Sequence, residues 1–426
     1  MLYYLFDWLD KAFGFPGAGL VHYISFRAIV VLILSIIFSI CLGKVFIRFM
    51  KRRQYFEQQR DAKTDPYNTE KKGVPTMGGL VVIASILLPC LLFGKLSNVY
   101  FVLMVVTTVL LGAVGFADDY VKTFKKRKDG IKPWVKLGAQ VLLGLIVGLT
   151  LRYSPDAVIN EKVTVKIVDN VQVVEKTPDV KSTRTTIPFF KNNDLNYADL
   201  FSFLGDRWKY IAGWIFFVLL TVFVVAAVSN GSNLNDGMDG MAAGNSAIIG
   251  VALLVLAYVS GSAVWTDYLN VMYIPGSEEI VIFMCAFVGS LVGYLWYNSF
   301  PAQMFMGDTG SLTIGGIIAV AAIIIHKELL LPILCGVFLF EILADLDVKL
   351  FLRTGKKRRI WKKAPLHDHF RMSYSEFREK WPNSTVFFKG PGEGHNNKYH
   401  EVKITTRMWI ITLGLAALAL LTLKIR

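Results

Sequence analysis

The stretch VYFVLMVVTTVLLGAVGFA, residues 99–117, contains no acidic or basic side chain and is followed directly by Asp118 and Asp119. A helix of about 20 apolar residues crosses the ~30 Å hydrocarbon layer of a membrane, and this run has that length. Residues 28–43 and 77–94 form similar uncharged runs. The chain of 426 residues is 54% hydrophobic and only 18% charged, which argues against an ordinary soluble globule.

Working outward from this segment, the apolar pattern predicts an all-α integral membrane protein with about ten transmembrane helices. His326, Lys327 and Glu328 interrupt an otherwise overlong run, and we interpret them as a boundary between two spans. The predicted spans are residues 24–47, 77–94, 99–117, 133–151, 210–229, 241–262, 280–297, 312–325, 329–350 and 406–423.

The distribution of basic residues predicts the orientation of these spans. Loops after odd-numbered spans hold basic clusters, whereas the short loops on the other side hold only Lys95 and Lys327. The positive-inside rule therefore places the odd-span exits in the cytoplasm and both termini in the periplasm. Much of the formal net charge of +14 lies in these clusters, at residues 51–72, 122–132 and 353–363.

Two long polar segments interrupt what is predicted to be a single polytopic membrane domain over residues 1–426. Residues 152–208 form a periplasmic insertion, in which period-two alternation around Asp169-Asn170 predicts a small β-hairpin. Residues 351–404 form a cytoplasmic loop, and we interpret its part 373–404 as irregular.

Five polar motifs each follow an odd-numbered span. Because they share the basic face, we expect one cytoplasm-facing site assembled from several interhelical loops. The motifs are Lys71–Thr76, Asp118-Asp119, Asn230–Gly240, Asn298–Ser311 and His367-Asp368-His369.

The carboxylates in these motifs suggest a cation site. Asp118 and Asp119 are predicted at a helix C-terminus, where they repel each other and face an unfavourable dipole, so a Mg²⁺ ion would stabilise them. The alternative is a pair of interfacial acids. Asp308 supplies a third carboxylate, and Gly310 and Ser311 are predicted to open a helix whose free N–H groups favour phosphate.

The other motifs suggest ligands for a phosphorylated nucleotide. The loop from Asn233 to Gly240 can coordinate a metal or bind a polar ring, or it can be an ordinary Asx-rich turn. Lysines on this face can bind phosphate as point charges, although many lysines there only orient the helices. Protonated His367 and His369 would contact a diphosphate; the alternative is an exposed interfacial pair. Together these groups indicate phosphate chemistry on a lipid.

Read together, the motifs closely resemble the phospho-N-acetylmuramoyl-pentapeptide-transferase family, the lipid I synthases of the polyprenyl-phosphate N-acetylhexosamine-1-phosphate transferase superfamily. The resemblance covers most of the chain, and the family's ten helices with outside termini agree with the count above. The segments that carry it are residues 75–79, 116–120, 233–240, 305–312 and 365–370.

This resemblance implies transfer of phospho-MurNAc-pentapeptide from UDP-MurNAc-pentapeptide to undecaprenyl phosphate, releasing UMP and forming lipid I for peptidoglycan synthesis. It implies Mg²⁺ as cofactor, membrane lipid as surroundings, a bacterial inner membrane location and no nucleic acid partner. Because dimers occur in the family, a homodimer is a further expectation.

The resemblance also implies roles for individual residues. Asp308 matches a Mg²⁺ position, and Asp118 and Asp119 match an essential pair whose first member is a proposed base or nucleophile. His367 and His369 match members of a histidine motif assigned to catalysis. Nucleoside-pocket positions are matched by Asn233, Asp236, Asp239, Asn298 and Phe305, the last stacking on uracil. Phosphate- or nucleotide-side positions are matched by Lys71, Thr76, Lys122 and Lys136.

The chain departs from the family pattern in its histidine motif. Asp368 occupies the middle of a motif that commonly has three histidines, and an ionised carboxylate cannot donate a hydrogen bond. The insertions at 152–208 and 373–404 are also longer than expected.

Two other functions remain open at this stage. A polyprenyl-phosphate N-acetylglucosamine-1-phosphate transferase shares the paired aspartates but uses another sugar. A membrane transporter or lipid flippase would also have about ten helices with acids inside them, although such proteins tend to bind near the midplane.

Overall fold

The computed structural model describes residues 1–53, 73–127, 129–160, 163–168, 171–189, 194–354, 358–388 and 399–423. These residues are mostly helical, with three short two-stranded sheets. The predicted all-α membrane architecture is confirmed.

The α-helices follow one another along the chain with short connections. They are α1 (Leu2–Phe13), α2 (Ile24–Arg53), α3 (Gly79–Phe93), α4 (Val99–Phe124), α5 (Pro133–Tyr153), α6 (Asp206–Asn235), α7 (Met241–Gly261), α8 (Ala263–Leu269), α9 (Glu278–Asn298), α10 (Gly307–Ile324), α11 (Leu331–Leu334), α12 (Gly336–Thr354), α13 (Leu366–Arg371), α14 (Tyr374–Lys380) and α15 (Glu401–Leu421). The strands are β1 (Val163–Val168), β2 (Val171–Lys176), β3 (Arg184–Thr186), β4 (Asp194–Asn196), β5 (Arg358–Arg359) and β6 (Thr385–Val386).

Nine of the ten predicted spans each coincide with one apolar helix, and the tenth, 329–350, coincides with a bent pair of helices. Among the described residues, eight single helices are long and apolar enough to cross a membrane, and a bent pair brings the number to nine. The remaining predicted span, 77–94, is the shorter helix α3 of 15 residues.

The span predicted at 329–350 is not one helix. It is broken at Cys335, where Glu328–Leu334 and Gly336–Thr354 meet at 76°. At Cys335 the backbone leaves helical geometry, with φ −95° and ψ 26°, and Gly336, which begins α12, lowers the cost of the sharp change of direction. The boundary predicted at residues 326–328 is confirmed, since α10 ends at Ile324.

Helix α10 lies at the centre of the bundle. In its apolar part 89% of the residues are buried, against 22% in α2, most of whose side chains are exposed or half-buried. It packs against α4, α6, α3 and α7, and α9 packs against α2 and α7 beside it. The helix that carries Asp308 is therefore the most enclosed, and its start is held on several sides.

The insertion at 152–208 contains the predicted hairpin. Strands β1 and β2 pair antiparallel with Val168 opposite Val171, and the turn residues Asp169-Asn170 lie outside the described residues. A second pair, β3 and β4, docks on the turn after α10, where the Thr186 N–H donates to His326 O at 3.0 Å.

The segment 373–404 is more regular than predicted. It contains α14, which begins with a capping box between Ser373 and Glu376, and strand β6, which pairs in parallel with β5. Helix α15 already begins at Glu401. The capping pattern Ser373-x-x-Glu376 is the sequence signal that indicates α14. The glycine-rich residues 391–394 lie outside the described residues.

Candidate active site

Three carboxylates converge where α4 meets the start of α10. Ligand oxygens of Asp118, Asp119 and Asp308 all lie within 4.8 Å of one another. Gly115 allows this approach, because a Cβ atom there would lie 2.4 Å from Asp308 O. Helix α4 continues to Phe124, so the predicted C-terminal position of the aspartate pair is wrong: the pair lies inside the helix.

Asp119 holds the first turn of α10. Its Oδ1 accepts the Asp308 N–H at 3.0 Å, and its Oδ2 accepts the Thr309 N–H at 2.9 Å and the Thr309 hydroxyl at 2.6 Å. Carboxylates are stabilising at a helix N-terminus, where backbone N–H groups lack partners. Because α10 begins at Gly307, the prediction that a helix opens at Gly310 and Ser311 with N–H groups free for phosphate is wrong.

Two lysines lie against the other two carboxylates. Lys122 Nζ is 2.7 Å from Asp118 Oδ2 and 3.4 Å from Asp308 Oδ2. Lys136 Nζ is 3.0 Å from Asp118 Oδ2 and also contacts Asp308 Oδ2. The Ile131 N–H donates to Asp118 Oδ1 at 2.8 Å. With all groups ionised, three carboxylates and two ammonium groups leave one net negative charge. Carboxylate oxygens are ligands that Mg²⁺ prefers, so the donor set fits that ion.

Asn233, near the end of α6, joins the same cluster. Its Nδ2 donates to Asp308 Oδ1 at 3.0 Å and to Ser311 Oγ at 2.9 Å. Asn233 therefore holds one carboxylate oxygen of Asp308, Oδ1, while the two lysines contact the other, Oδ2. Asp236 lies three residues further on, half-buried in the loop that follows α6.

Asp239 and Asn298 hold neighbouring loops together. Asp239 Oδ2 accepts the Ala302 N–H at 2.9 Å, and Asn298 Oδ1 accepts the Gly240 N–H at 3.1 Å. Asn298 Nδ2 donates to Met304 O at 2.9 Å. Both side chains are buried, so these bonds fix the backbone between α6 and α7 relative to the end of α9.

The loop before α3 is tied to the loop before α10. The Phe305 N–H donates to Pro75 O at 2.9 Å, and the Gly78 N–H donates to Phe305 O at 2.8 Å. Thr76 is buried, with its Oγ1 3.5 Å from Thr123 Oγ1 on α4. The Phe305 side chain is half-buried, so its backbone is fixed while part of its ring remains accessible.

His367 lies in the first turn of α13 against a buried carboxylate of α12. Its Nδ1 is 3.1 Å from Glu341 Oε1, and Glu341 also accepts the backbone N–H groups of Leu366 and His367. On its other edge the ring lies against Gly237, where an added Cβ would be 2.1 Å from His367 Nε2. Burial lowers the pKa of His367, but the charge and hydrogen bond of Glu341 together with the charge of Asp368 outweigh it, so the pKa lies above its usual value.

Asp368 and His369 have different surroundings. Asp368 pairs with Lys363 at 2.7 Å and with Arg371 at 3.6 Å. His369 Nδ1 accepts the Lys362 N–H at 3.1 Å. Burial, and then the charge of Lys362, lowers the pKa of His369 to about 3, so this imidazole is neutral. The hypothesis of a protonated imidazole therefore fits His367 but does not fit His369.

The structure brings most of the candidate residues to one region. Asp118, Asp119, Asp308, Lys122, Lys136 and Asn233 form one contact network, and the 233–240 loop connects it to His367 through Gly237. Lys71 lies outside the described residues. The sequence motifs did not single out Thr309, although it lies within the segment Asn298–Ser311, and Glu341 lies outside all five motifs.

Comparisons with known proteins point to one family. The Glycosyl transferase family 4 model matches residues 101–326. A protein named phospho-N-acetylmuramoyl-pentapeptide-transferase from Bacteroides fragilis is 58% identical over 431 residues, covering 100% of both chains. Proteins of the same name from Phocaeicola vulgatus and Parabacteroides distasonis are 58% and 52% identical, again over 100% of both chains.

Proposed function

The chain belongs to the phospho-N-acetylmuramoyl-pentapeptide-transferase family, and we propose that it transfers phospho-MurNAc-pentapeptide from UDP-MurNAc-pentapeptide to undecaprenyl phosphate, giving lipid I and UMP. Its membership makes it a multi-span membrane transferase of peptidoglycan synthesis, which excludes the transporter alternative. The observation that carries the proposed reaction is the cluster of Asp118, Asp119 and Asp308 with two lysines at its edge.

The cluster is the proposed Mg²⁺ site, with Asp308 as the principal ligand and Asp118 and Asp119 beside it. Bound there, Mg²⁺ would neutralise charge on the diphosphate and polarise the bond that breaks. Lys122 and Lys136 bridge Asp118 and Asp308 in this structure, and we propose that they turn to the substrate phosphates, for which each offers three donors.

We propose direct, in-line attack of the lipid phosphate on the β-phosphate of the UDP-sugar, with Asp118 orienting the nucleophile. A phosphate monoester is already largely dianionic at neutral pH, so little proton removal is needed. Asp118 also contacts two ammonium groups and a backbone N–H, which hold its carboxylate in one orientation.

The alternative is a phospho-enzyme formed on Asp118 before the lipid attacks. Incubation of the protein with labelled UMP and UDP-MurNAc-pentapeptide, without lipid, separates the two routes. We expect no exchange of label from enzyme that is active with lipid; exchange would establish the two-step route.

We propose that the nucleoside binds between the 233–240 loop and Phe305, with Asp236 and Asn233 lining the pocket and Asp239 and Asn298 holding its walls. Phe305 keeps part of its ring accessible for stacking on uracil. Lys71 and Thr76 remain proposed nucleotide-side residues. We place the site at the cytoplasmic face of the bacterial inner membrane, because the basic loops cluster on that face.

Release of UMP from purified protein tests the substrate and the site. With undecaprenyl phosphate and Mg²⁺, we expect release from UDP-MurNAc-pentapeptide and none from UDP-N-acetylglucosamine; the reverse would establish the hexosamine alternative.

Asp308→Asn should lower kcat at least about 100-fold and weaken Mn²⁺ binding measured by electron paramagnetic resonance. Asp345→Asn is the matched control, since Asp345 also pairs with a lysine, Lys349, at 2.6 Å but outside the cluster. Equal activity of both variants would overturn the site assignment.

A further inference from the structure

Glu341 is a buried carboxylate that belongs to none of the motifs found at the site. It lies on α12 with no exposed surface, and its partners are all in the first turn of α13. A carboxylate that is completely buried requires hydrogen bonds or opposite charge to compensate for lost hydration. Here the compensation comes from two backbone N–H groups and one imidazole nitrogen.

These contacts fix both the position and the rotation of the His367 ring. The two N–H groups anchor the start of α13, and the Nδ1 contact at 3.1 Å allows only a ring orientation with Nδ1 toward α12. Nδ1 is then the hydrogen-bond donor to the carboxylate, which leaves Nε2 for another partner.

The Nε2 edge faces the loop that carries the proposed nucleotide pocket. Gly237 is exposed and lies so close that its lack of a side chain is what makes room for the ring. Within the described residues no hydrogen bond to Nε2 is present, and Asp368, whose Oδ1 lies 4.0 Å from Nε2, is already paired with Lys363.

We propose that Glu341 is a positioning residue that acts through His367, holding Nδ1 so that Nε2–H is presented beside Gly237 to a phosphate oxygen of the sugar nucleotide. This inference rests on the proposed function, because it assigns His367 to the diphosphate of that substrate. His367 touches substrate, whereas Glu341 does not.

The electrostatics agree with this arrangement. The charged groups that face His367 are Glu341 from α12 and Asp368 and Arg371 from its own helix, and their combined effect with burial raises the pKa of His367. A cationic imidazole donates from Nε2 and carries positive charge toward a diphosphate. Removing the Glu341 charge would leave burial to lower the pKa, and the ring would lose its proton at lower pH.

Steady-state kinetics of Glu341→Gln test the proposal. Gln keeps one acceptor oxygen but not the charge, so we expect kcat/KM at pH 8 to fall at least about tenfold. The basic limb of the pH profile should move to lower pH. Glu328→Gln is the control. Glu328 is also buried, but it lies in the turn after α10, where it accepts the Tyr197 hydroxyl. It should leave the profile unchanged.

A double-mutant cycle distinguishes positioning from a general structural effect. If Glu341 acts through His367, adding Glu341→Gln to His367→Gln should change kcat/KM less than twofold. Additive losses, or a uniform loss with an unmoved pH limb, would overturn the proposal. If Glu341→Gln does not fold, Gly237→Ala replaces it, because the added methyl group must displace His367 Nε2. The loss of kcat/KM caused by Gly237→Ala should then vanish in the His367→Gln background. An additive loss would overturn the proposal. Wild-type protein that releases no UMP would instead contradict the proposed function itself.

Discussion

Asp119 combines a position in the carboxylate cluster with the role of a helix cap supplied by a different helix. Its two oxygens accept three hydrogen bonds, from the Asp308 N–H, the Thr309 N–H and the Thr309 hydroxyl. The two backbone N–H groups lie in the first turn of α10 and have no acceptor within that helix. An acid at this place also interacts favourably with the helix dipole. Stability of the fold and placement of Asp308 therefore depend on the same side chain.

Asp119→Asn should lower the free energy of unfolding by about 1 kcal/mol, the usual cost of a weakened N-cap, and should also weaken Mn²⁺ binding. Thr309→Val is the matched control because it removes the hydroxyl donor at 2.6 Å but leaves the three carboxylates intact. We expect that variant to lose stability and keep Mn²⁺ affinity. Thermal unfolding in detergent and electron paramagnetic resonance measure the two effects; full Mn²⁺ affinity in Asp119→Asn would contradict this role.

His369 makes stability depend on pH in the acid range. Its pKa in the folded protein is about 3, below the ordinary value near 6.5, because burial and Lys362 disfavour the charged form. Below pH 6.5 the unfolded chain therefore binds a proton that the folded protein does not, and stability falls as the pH decreases toward 3.

Replacing His369 with Gln should reduce this loss, since Gln still offers an acceptor to Lys362 N–H but does not titrate. The measurement is the difference in melting temperature between pH 7 and pH 4.5 for wild type and variant. An equal acid loss in His369→Gln and wild type would show that this imidazole is not responsible.

At the scale of elements, glycines set how closely helices approach the site. Gly115 on α4 lies against the start of α10, where an added Cβ would be 2.4 Å from a backbone oxygen that cannot rotate away. Gly115→Ala should therefore displace α10, lower the melting temperature by several degrees and reduce Mn²⁺ affinity. Gly138→Ala is the matched control, because no atom lies within 4 Å of a Cβ there. It should be neutral or slightly stabilising. Similar behaviour of both variants would contradict this interpretation.

Most spans could be predicted from the sequence because crossing a bilayer requires a long uncharged run, and few other structures need one. The break at Cys335 could not be predicted, because residues 329–350 form one apolar run and hydropathy does not change at a bend within such a run. Asp118 and Asp308 each follow an odd-numbered span, and this position predicted that both lie at the same face of the membrane. The Asp118–Lys122 pair is a spacing of four residues on α4 and is visible in the sequence. The contacts of Lys136 with Asp118 and Asp308 required the packing of α4, α5 and α10, which a single sequence does not reveal.

At the scale of the whole molecule, a buried ion pair secures the end of the bundle away from the carboxylates. Arg27 and Glu279 form a two-pronged contact at 3.0 and 2.7 Å, and Lys95 N–H donates to the same carboxylate at 3.1 Å. Glu279 lies in the first turn of α9 and Asn298 ends the helix, a separation of roughly 30 Å at 1.5 Å per residue. The pair thus ties α2, α9 and the α3–α4 connection without touching the site.

Breaking this pair should cost stability and leave the reaction intact. Arg27→Met leaves the buried Glu279 carboxylate with Lys95 alone, through its backbone N–H at 3.1 Å and its Nζ at 3.7 Å, and should lower the free energy of unfolding by about 3–5 kcal/mol. The double variant Arg27→Met/Glu279→Met removes both charges and should recover most of that loss. Thermal unfolding measures the cost, and kcat per folded molecule should match wild type. A double variant no more stable than the single one would mean that packing, rather than the unpaired charge, dominates.

The orientation of the molecule follows from charge and can be tested at two exposed positions. The basic loops predict that α14 lies in the cytoplasm and that the β1–β2 hairpin lies outside, because basic residues resist translocation. In a background where the exposed Cys41 is replaced by Ser, Val174→Cys and Lys380→Cys each add one accessible thiol. A membrane-impermeant maleimide added to intact cells should label Val174→Cys, and it should label Lys380→Cys only after the membrane is permeabilised. The opposite pattern would put the carboxylate cluster at the outer face and contradict the proposed orientation.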